Sequence, residues 1–187
     1  MKRPEKAASC LKGVVRVKLI TLVTIVAVIL GVNAQGAFGK PYLDQIHHYQ
    51  KETWKWQGLM QVRKHPTANT AKKNESSTYR RWVRDLWLRR AYRAWRQAQN
   101  PPHKTGFLCI FSHEKGADRW QTNTGNGYYG GLQMDLGFQR TYGWELLRKK
   151  GTANNWTWLE QIWVAERAHR SRGYYPWPNT ARYCGLI

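Results

Sequence analysis

The stretch CIFSHEKGADRWQTNTGNGYYGGLQ, from Cys109 to Gln133, is the segment around which the rest of this chain is organised. It starts as a short apolar run that ends at an acid, Glu114, and continues as a segment rich in Gly, Asn and Tyr. Glycines let a backbone approach a ligand closely, tyrosines offer flat faces with a polar tip, and amides pair with hydroxyl and N-acyl groups. A single carboxylate followed by such a segment predicts a cleft that binds a polar ligand.

Helix, loop and turn signals around this stretch predict a module that spans residues 104–187. Because helical patterns dominate and only one short hairpin is indicated, the expected fold class is α+β, mainly α, with the hairpin and loop at the cleft. The predicted segments are a helix end at 107–114, a loop with a hairpin at 117–132, a helix weakened by Gly137 at 132–142, helices at 143–150 and 158–170, and an extended tail at 173–187.

Residues 1–34 have the pattern of a secretory signal peptide or a signal-anchor. Basic residues precede the apolar run LITLVTIVAVILGV at 19–32, and Val32-Asn33-Ala34 supplies small residues at the positions of a cleavage site. That run has 14 residues, fewer than the roughly 20 that span a bilayer. An uncleaved anchor that starts near Val14 is the alternative. In both interpretations the rest of the chain is exported. A cleaved signal gives a protein secreted to the cell wall, and an anchor gives an extracellular domain held at the membrane.

Residues 35–76 are polar and mixed, and we interpret them as a linker with at most short helices around Leu43–Tyr49 and Trp54–Arg63. Trp54 and Trp56 have two interpretations. They bind a sugar or a partner protein, or they pack against the rest of this protein.

Residues 77–100 predict a basic amphipathic helix that Ser77 caps and Asn100-Pro101-Pro102 ends. One interpretation lays the helix on anionic lipid or wall polymer. The other packs its aromatic face on the C-terminal module with the arginines solvated, and the two are compatible. Its apolar positions form two rows, Tyr79, Trp82, Val83, Leu86, Ala91 and Trp95, and Trp87, Ala91 and Ala94.

The formal charge of +20 on 187 residues indicates a polyanionic neighbour. Nucleic acid, anionic lipid and an acidic wall polymer all fit that charge, but the export signal argues against nucleic acid. Cys109 and Cys184 bracket the module, and in an exported protein this placement favours a disulfide over two free buried thiols.

Glu114 is the candidate catalytic residue, acting as a general acid. Its sequence neighbours Phe111, Gly116 and Trp120 are suited to a pocket that disfavours the charged carboxylate and raises its pKa. A glycosidase of the usual kind needs a second carboxylate, for which Asp118 and Asp135 are the candidates. An internal nucleophile of the substrate is the alternative, and an exposed acid at a helix end is the plain structural interpretation. Neither a metal site nor a cofactor is predicted, because the six histidines are scattered and no zinc-protease or phosphate-loop pattern occurs.

The run from Asn123 to Gln133, NTGNGYYGGLQ, resembles the signature of the resuscitation-promoting factors, which are lysozyme-like wall-cleaving domains of actinobacteria. The similarity extends to Trp120, to the run EQIWVAE at 160–166 and to Trp177-Pro178, and so covers residues 107–187. It implies a small α-rich lysozyme-like domain that acts on peptidoglycan glycan strands with a single catalytic acid, Glu114. The residues it implies along the sugar cleft are Trp120, Asn123, Thr124, Asn126, Tyr128, Tyr129, Gly131 and Gln133.

The chain departs from the pattern of that family at four points. His113 stands where the family has a Cys directly before the acid, and the step from Glu114 to Trp120 is one residue longer. Cys184 comes about four residues later than the second Cys of the family, while Cys109 lies four residues before His113. Both cysteines have therefore moved in a way that preserves one bridge. Phe138 replaces a small hydroxylated residue.

The sequence therefore predicts an exported glycosidase or lytic transglycosylase that cleaves the β-1,4 bond between N-acetylmuramic acid and N-acetylglucosamine. The alternative is a peptidoglycan-binding module that has kept the cleft and lost turnover.

Overall fold

The computed structural model describes residues 41–67, 76–114 and 119–187. Within these ranges the chain forms seven α-helices and one two-stranded antiparallel sheet, which confirms the expected mainly helical α+β class. The predicted signal or anchor lies outside the described residues, and none of the described helices is long and apolar enough to cross a bilayer. The elements are α1 (Pro41–Met60), α2 (Ser77–Ala98), α3 (Lys104–His113), β1 (Tyr128–Tyr129), β2 (Met134–Asp135), α4 (Leu136–Tyr142), α5 (Trp144–Lys150), α6 (Trp158–Arg172) and α7 (Pro178–Tyr183).

Helix α1 corrects the prediction of a linker with at most two short helices. It is one helix of 20 residues packed along α2. The stripe it buries is Ile46, Gln50, Thr53, Gln57 and Met60, at steps of three and four residues. Three of these five positions are polar, so the hydrophobic period that signals a helix is weak in the sequence although the helix is long.

Helix α2 begins where the sequence predicted, except that Ser76 rather than Ser77 caps it. The Ser76 hydroxyl accepts a hydrogen bond from the Tyr79 amide at 3.3 Å. The buried face contains the whole second predicted row together with Val83 of the first row and Ala98, whereas Trp82, also from the first row, is 55% exposed. That buried face comprises Val83, Trp87, Ala91, Ala94 and Ala98. The helix therefore packs through its alanines and one tryptophan.

The two linker tryptophans dock on the protein. Trp54 lies edge-on against Trp87, with ring centroids 6.1 Å apart, and its indole N–H donates to the His65 carbonyl at 2.8 Å. Trp56 packs with a cluster that includes Met60 and Leu159. Of the two interpretations of these residues, the structure supports docking.

Helix α6 packs within the module and also contacts the ends of the paired helices α1 and α2. Six consecutive residues of α6, 161–166, are buried, and a capping box between Thr157 and Glu160 starts the helix. Trp163 donates from its indole to the Ala98 carbonyl at 2.8 Å, and Arg167 donates to the Leu59 carbonyl at 2.7 Å. Burial lowers the pKa of Arg167 to about 10. These bonds hold α1 and α2 on α6 through backbone carbonyls at the C-terminal ends of the two helices.

The C-terminal tail is helical from Pro178 to Tyr183, so the prediction of an extended tail is wrong. Pro178 lies in the first turn, where a proline costs no hydrogen bond and its φ suits a helix. The predicted disulfide is present between Cys109 of α3 and Cys184, which caps the end of α7. The bridge holds α7 against α3, and this packing brings Thr180 to the end of α3.

Candidate active-site cleft

Glu114 lies at the C-terminal end of α3, half-buried, where its backbone turns from helical to extended. Its amide still donates to the Ile110 carbonyl at 2.9 Å, so the last turn of α3 fixes the start of the side chain. The Thr180 hydroxyl donates to Glu114 Oε1 at 2.8 Å. Burial raises the pKa of Glu114 above its ordinary value, and the hydrogen bond from Thr180 opposes this by stabilising the carboxylate. The sequence also predicted a raised pKa for Glu114.

The cavity around Glu114 is made by three segments of the chain and has a volume of about 490 Å³. The end of α3, the loop before and after β1, and the start of α7 each form one wall. This volume lies within the range of pockets that bind small organic ligands. Its lining is His113, Glu114, Asn126, Tyr128, Gln133, Pro176, Trp177, Pro178, Asn179 and Thr180.

A second cavity of about 320 Å³ adjoins the first, because Tyr128, Gln133, Pro176 and Trp177 line both. It continues along β2 and α4 to Phe138 and Arg172. Together the two cavities form a groove with Glu114 in one part and mixed polar and aromatic walls in the other.

Asn126, Tyr128 and Gln133 are the predicted contact residues that line the cavity around Glu114. The side-chain amide of Gln133 donates from Nε2 to the Gly130 carbonyl at 2.8 Å. The Gln133 backbone has a φ of 47°, so a tight turn presents this side chain to the groove. Tyr128 is exposed on β1, where it pairs with Asp135 of β2.

The side chains of Asn123 and Thr124 make hydrogen bonds within the loop and do not line the cavity around Glu114. The Asn123 side chain accepts from the Gly125 amide at 3.1 Å, and the Thr124 hydroxyl donates to the Asn126 side chain. Gly125 has a φ of 74°, a conformation that favours glycine. These bonds hold Asn126 in place.

Trp120, Tyr129 and Gly131 pack under the cleft. Trp120 stacks on Phe111 with centroids 4.3 Å apart, so the Phe111–Trp120 pair expected beside Glu114 covers Gly131 instead. A Cβ at Gly131 would lie 2.6 Å from the Phe111 ring, which explains the glycine by packing. Tyr129 is half-buried against the same core.

Asp135 lines the second cavity and not the one around Glu114. It caps α4, where Oδ1 accepts from the Phe138 amide at 2.7 Å. Asp118, the other candidate second carboxylate, lies outside the described residues. The role of Asp135 as a second catalytic carboxylate stays a prediction.

Thr180, Asn179, Pro176 and His113 are cleft residues that sequence reasoning did not select. The extended interpretation of residues 173–187 concealed Thr180, although a proline followed by Asn-Thr-Ala is a readable helix start. The His113 ring lies against Tyr183 with centroids 4.1 Å apart.

Residues 110–180 match the family model described as the transglycosylase-like domain. The match covers most of the C-terminal module. The resemblance read from residues 123–133 is thereby confirmed. The transglycosylase-like domain is 46% identical over 63 residues to resuscitation-promoting factor RpfE of Mycobacterium tuberculosis, which is 34% of this chain and 34% of that protein.

Two further relatives are also named resuscitation-promoting factors. Resuscitation-promoting factor Rpf1 of Corynebacterium glutamicum is 39% identical over 67 residues, 36% of this chain and 34% of that protein. Resuscitation-promoting factor Rpf of Micrococcus luteus is 34% identical over 67 residues, 36% of this chain and 28% of that protein. The chain thus spans about a third of the length of the curated relatives it matches.

Proposed function

We propose that this protein is an exported enzyme that cleaves peptidoglycan glycan strands at the β-1,4 bond between N-acetylmuramic acid and N-acetylglucosamine. The observation that carries the proposal is Glu114, a half-buried carboxyl with a raised pKa at the wall of a cavity that amides and an aromatic ring also line. The transglycosylase-like match and the relatives named resuscitation-promoting factors support the substrate class.

Glu114 acts first as an acid. Its raised pKa favours the protonated carboxyl, and the proton passes to the glycosidic oxygen as the bond to the anomeric carbon breaks. The positively charged sugar then reacts with water or with the 6-hydroxyl of the muramic sugar. In either case Glu114, now a carboxylate, takes the proton of the attacking oxygen.

The other wall residues recognise the sugars. Asn126 Oδ1 already accepts two hydrogen bonds within the loop, and Gln133 Nε2 donates one to the Gly130 carbonyl. The Asn126 side-chain N–H groups and Gln133 Oε1 therefore offer one set of donors and one acceptor, which fit the N-acetyl groups of the glycan strand. The exposed ring of Tyr128 offers a flat face to a pyranose. The groove continues past this point into the second cavity, which provides room for a further sugar unit.

The test compares the wild type with Glu114→Gln on purified peptidoglycan, with soluble fragments identified by mass spectrometry. We expect the variant to release fragments at least about a hundredfold more slowly, the loss typical of a missing general acid. Glu145→Gln, an exposed acid that lines neither cavity, is the matched control. A Glu114→Gln protein that releases fragments at the wild-type rate would refute the role of Glu114.

The fragments also decide the reaction type. Anhydro-muropeptides with Asp135→Asn fully active indicate attack by the muramic 6-hydroxyl. Reducing muropeptides with an inactive Asp135→Asn variant indicate hydrolysis with a second carboxylate.

A binding module without turnover is the second candidate, favoured by the longer step from Glu114 to Trp120 and by Phe138, which lines the second cavity. It predicts that wild type and Glu114→Gln both sediment with insoluble peptidoglycan and that neither releases a fragment.

We also propose that the exposed face of α2 binds an anionic wall polymer or membrane surface. The face lies opposite the buried stripe and presents two half-exposed aromatic rings, each 55% exposed, among four arginines. Charge attracts the polyanion and the rings add apolar contact. The residues of this face are Arg81, Trp82, Arg89, Tyr92, Arg93 and Arg96.

Cosedimentation with cell walls that retain or lack their anionic polymers tests this face. We expect binding of the wild type to fall steeply with salt, and Arg89→Gln with Arg93→Gln to reduce it several-fold at low salt. Lys149→Gln, an exposed base outside α2, is the control. Equal binding to stripped and intact walls would contradict the proposal, and preferential binding to DNA would favour a nucleic-acid partner.

A further inference from the structure

Three side chains from two distant parts of the sequence meet away from the cleft, at the start of α3. His103 precedes α3, and Glu166 and His169 are three residues apart on α6. Residues at this spacing share one face of a helix, and a Glu-x-x-His pair on a helix is a known arrangement for holding metal ions. The six histidines are scattered along the sequence, but the packing of α3 on α6 brings two of them together.

Glu166 is the buried member of this group, with only 4% of its surface exposed. Oε1 accepts from the His103 amide at 2.6 Å, and Oε2 lies 2.9 Å from Nδ1 of the His103 ring. The rings of His103 and His169 lie with centroids 3.7 Å apart. One donor atom from each of the three side chains lies within 4.8 Å of the others.

We propose that His103, Glu166 and His169 form a binding site for a divalent transition-metal ion, with Zn²⁺ as the best fit. Two imidazole nitrogens and one carboxylate oxygen are donors that zinc prefers.

Metal binding requires the donor atoms to rearrange: one contact opens slightly, and the His169 donor, which lies within 4.8 Å of the other two, moves up to about 1.5 Å closer. Zinc lies about 2.0–2.1 Å from such donors, so neighbouring ligands of a tetrahedral ion are roughly 3.3 Å apart. The 2.9 Å contact between His103 and Glu166 needs to open by only a few tenths of an ångström. The ion then takes the place of the hydrogen between Nδ1 and Oε2, while Oε1 keeps its bond to the His103 amide.

One coordination position stays open to water, because 41% of the His103 side chain is exposed and gives access to the site. Two aromatic rings pack on the other side of the group. The ring centroids of Tyr174 and Phe107 lie 4.5 and 6.2 Å from the centroid of the His169 ring.

The ion would fasten the N-terminal end of α3 to α6. Glu114 lies at the opposite end of α3, roughly 16 Å along the helix axis at 1.5 Å per residue. The site therefore acts on the stability of the helix that carries Glu114 and does not take part in the chemistry of the cleft.

Titration of the full chain with ZnCl₂ tests the site, by calorimetry for stoichiometry and by thermal unfolding for stability. The protein is kept oxidised, because reduction would free Cys109 and Cys184 beside His113 as competing ligands. We expect one ion per chain and a rise in Tm, with Co²⁺ giving the visible absorption of a tetrahedral site.

His169→Gln removes one ligand and leaves the bonds between His103 and Glu166 intact. We expect it to weaken Zn²⁺ binding at least about tenfold and to abolish the rise in Tm. His103→Gln provides a second test if His169→Gln does not fold, which circular dichroism shows. His113→Gln is the matched control and is expected to bind as the wild type does. Absence of one-to-one binding by the wild type, or binding lost in His113→Gln and kept in His169→Gln, would overturn the proposal.

Discussion

Replacement of Gln161 by Met is expected to destabilise the module and to detach the cleft loop from α6. Gln161 is fully buried, and its amide bonds the loop to the core. Oε1 accepts from the Gly131 amide at 2.9 Å. The Nε2 group donates to the carbonyls of Trp120, Ala153 and Trp156 at 2.6, 2.9 and 3.1 Å.

The magnitude follows from the bonds that are lost. Met keeps the length and the unbranched shape of Gln, so the change removes polarity with little change in volume. The Nε2 group has two hydrogens for its three carbonyl contacts, so three full hydrogen bonds at about 1 kcal/mol each give an upper figure of about 3 kcal/mol. Gly131 and Ala153 each keep one backbone partner, at 3.1 and 3.0 Å, so the expected loss of unfolding free energy is about 2 kcal/mol.

Urea unfolding of the oxidised protein measures this loss, and hydrogen exchange at the Gly131 amide measures the release of the loop. Gln97→Met, on the exposed side of α2, is the control and should stay within about 0.5 kcal/mol of the wild type. A loss below about 1 kcal/mol with Gly131 still protected would refute the argument that Gln161 holds the loop in place.

Two further predictions concern α7. Thr180→Val removes the hydrogen bond that stabilises the Glu114 carboxylate, so the pKa of Glu114 rises further and the alkaline limb of the pH–activity profile moves to higher pH. Thr180→Ser should leave that limb in place, and an unmoved limb in Thr180→Val would count against the contact. Replacing Cys109 and Cys184 together by Ser opens a loop of 75 residues and should lower the unfolding free energy by about 4.5 kcal/mol in the chain-entropy model. Urea midpoints equal to those of the wild type would contradict this.

Much of the cleft was predictable because its residues are contiguous in the sequence. The position of Glu114 at a helix end and the hairpin around Tyr128 follow from local patterns. The disulfide was predictable from the placement of Cys109 and Cys184. Loop residues such as Thr124 were predicted as sugar contacts, but only packing shows which polar groups are already used within the loop.

Helix α1 was predicted only as two short helices, and helix α7 was missed. The buried stripe of α1 contains Gln50, Thr53 and Gln57, so its hydrophobic period is too weak to read. Helix α7 is short and begins at Pro178, and the neighbouring Pro176 favoured an extended interpretation. In both cases the helix is stabilised mainly by packing against another helix.

The sequence by itself determined the helical class of the module, the glycine-rich loop, the acid at the end of α3 and the cysteines that join α3 to α7, because each depends on residues close in the chain or on a recognisable run. Only the tertiary structure decided that Thr180 donates to Glu114 and that His103 meets Glu166. These contacts join residues 66 and 63 positions apart. No local pattern encodes such distances, since the packing of α3 between α6 and α7 sets them.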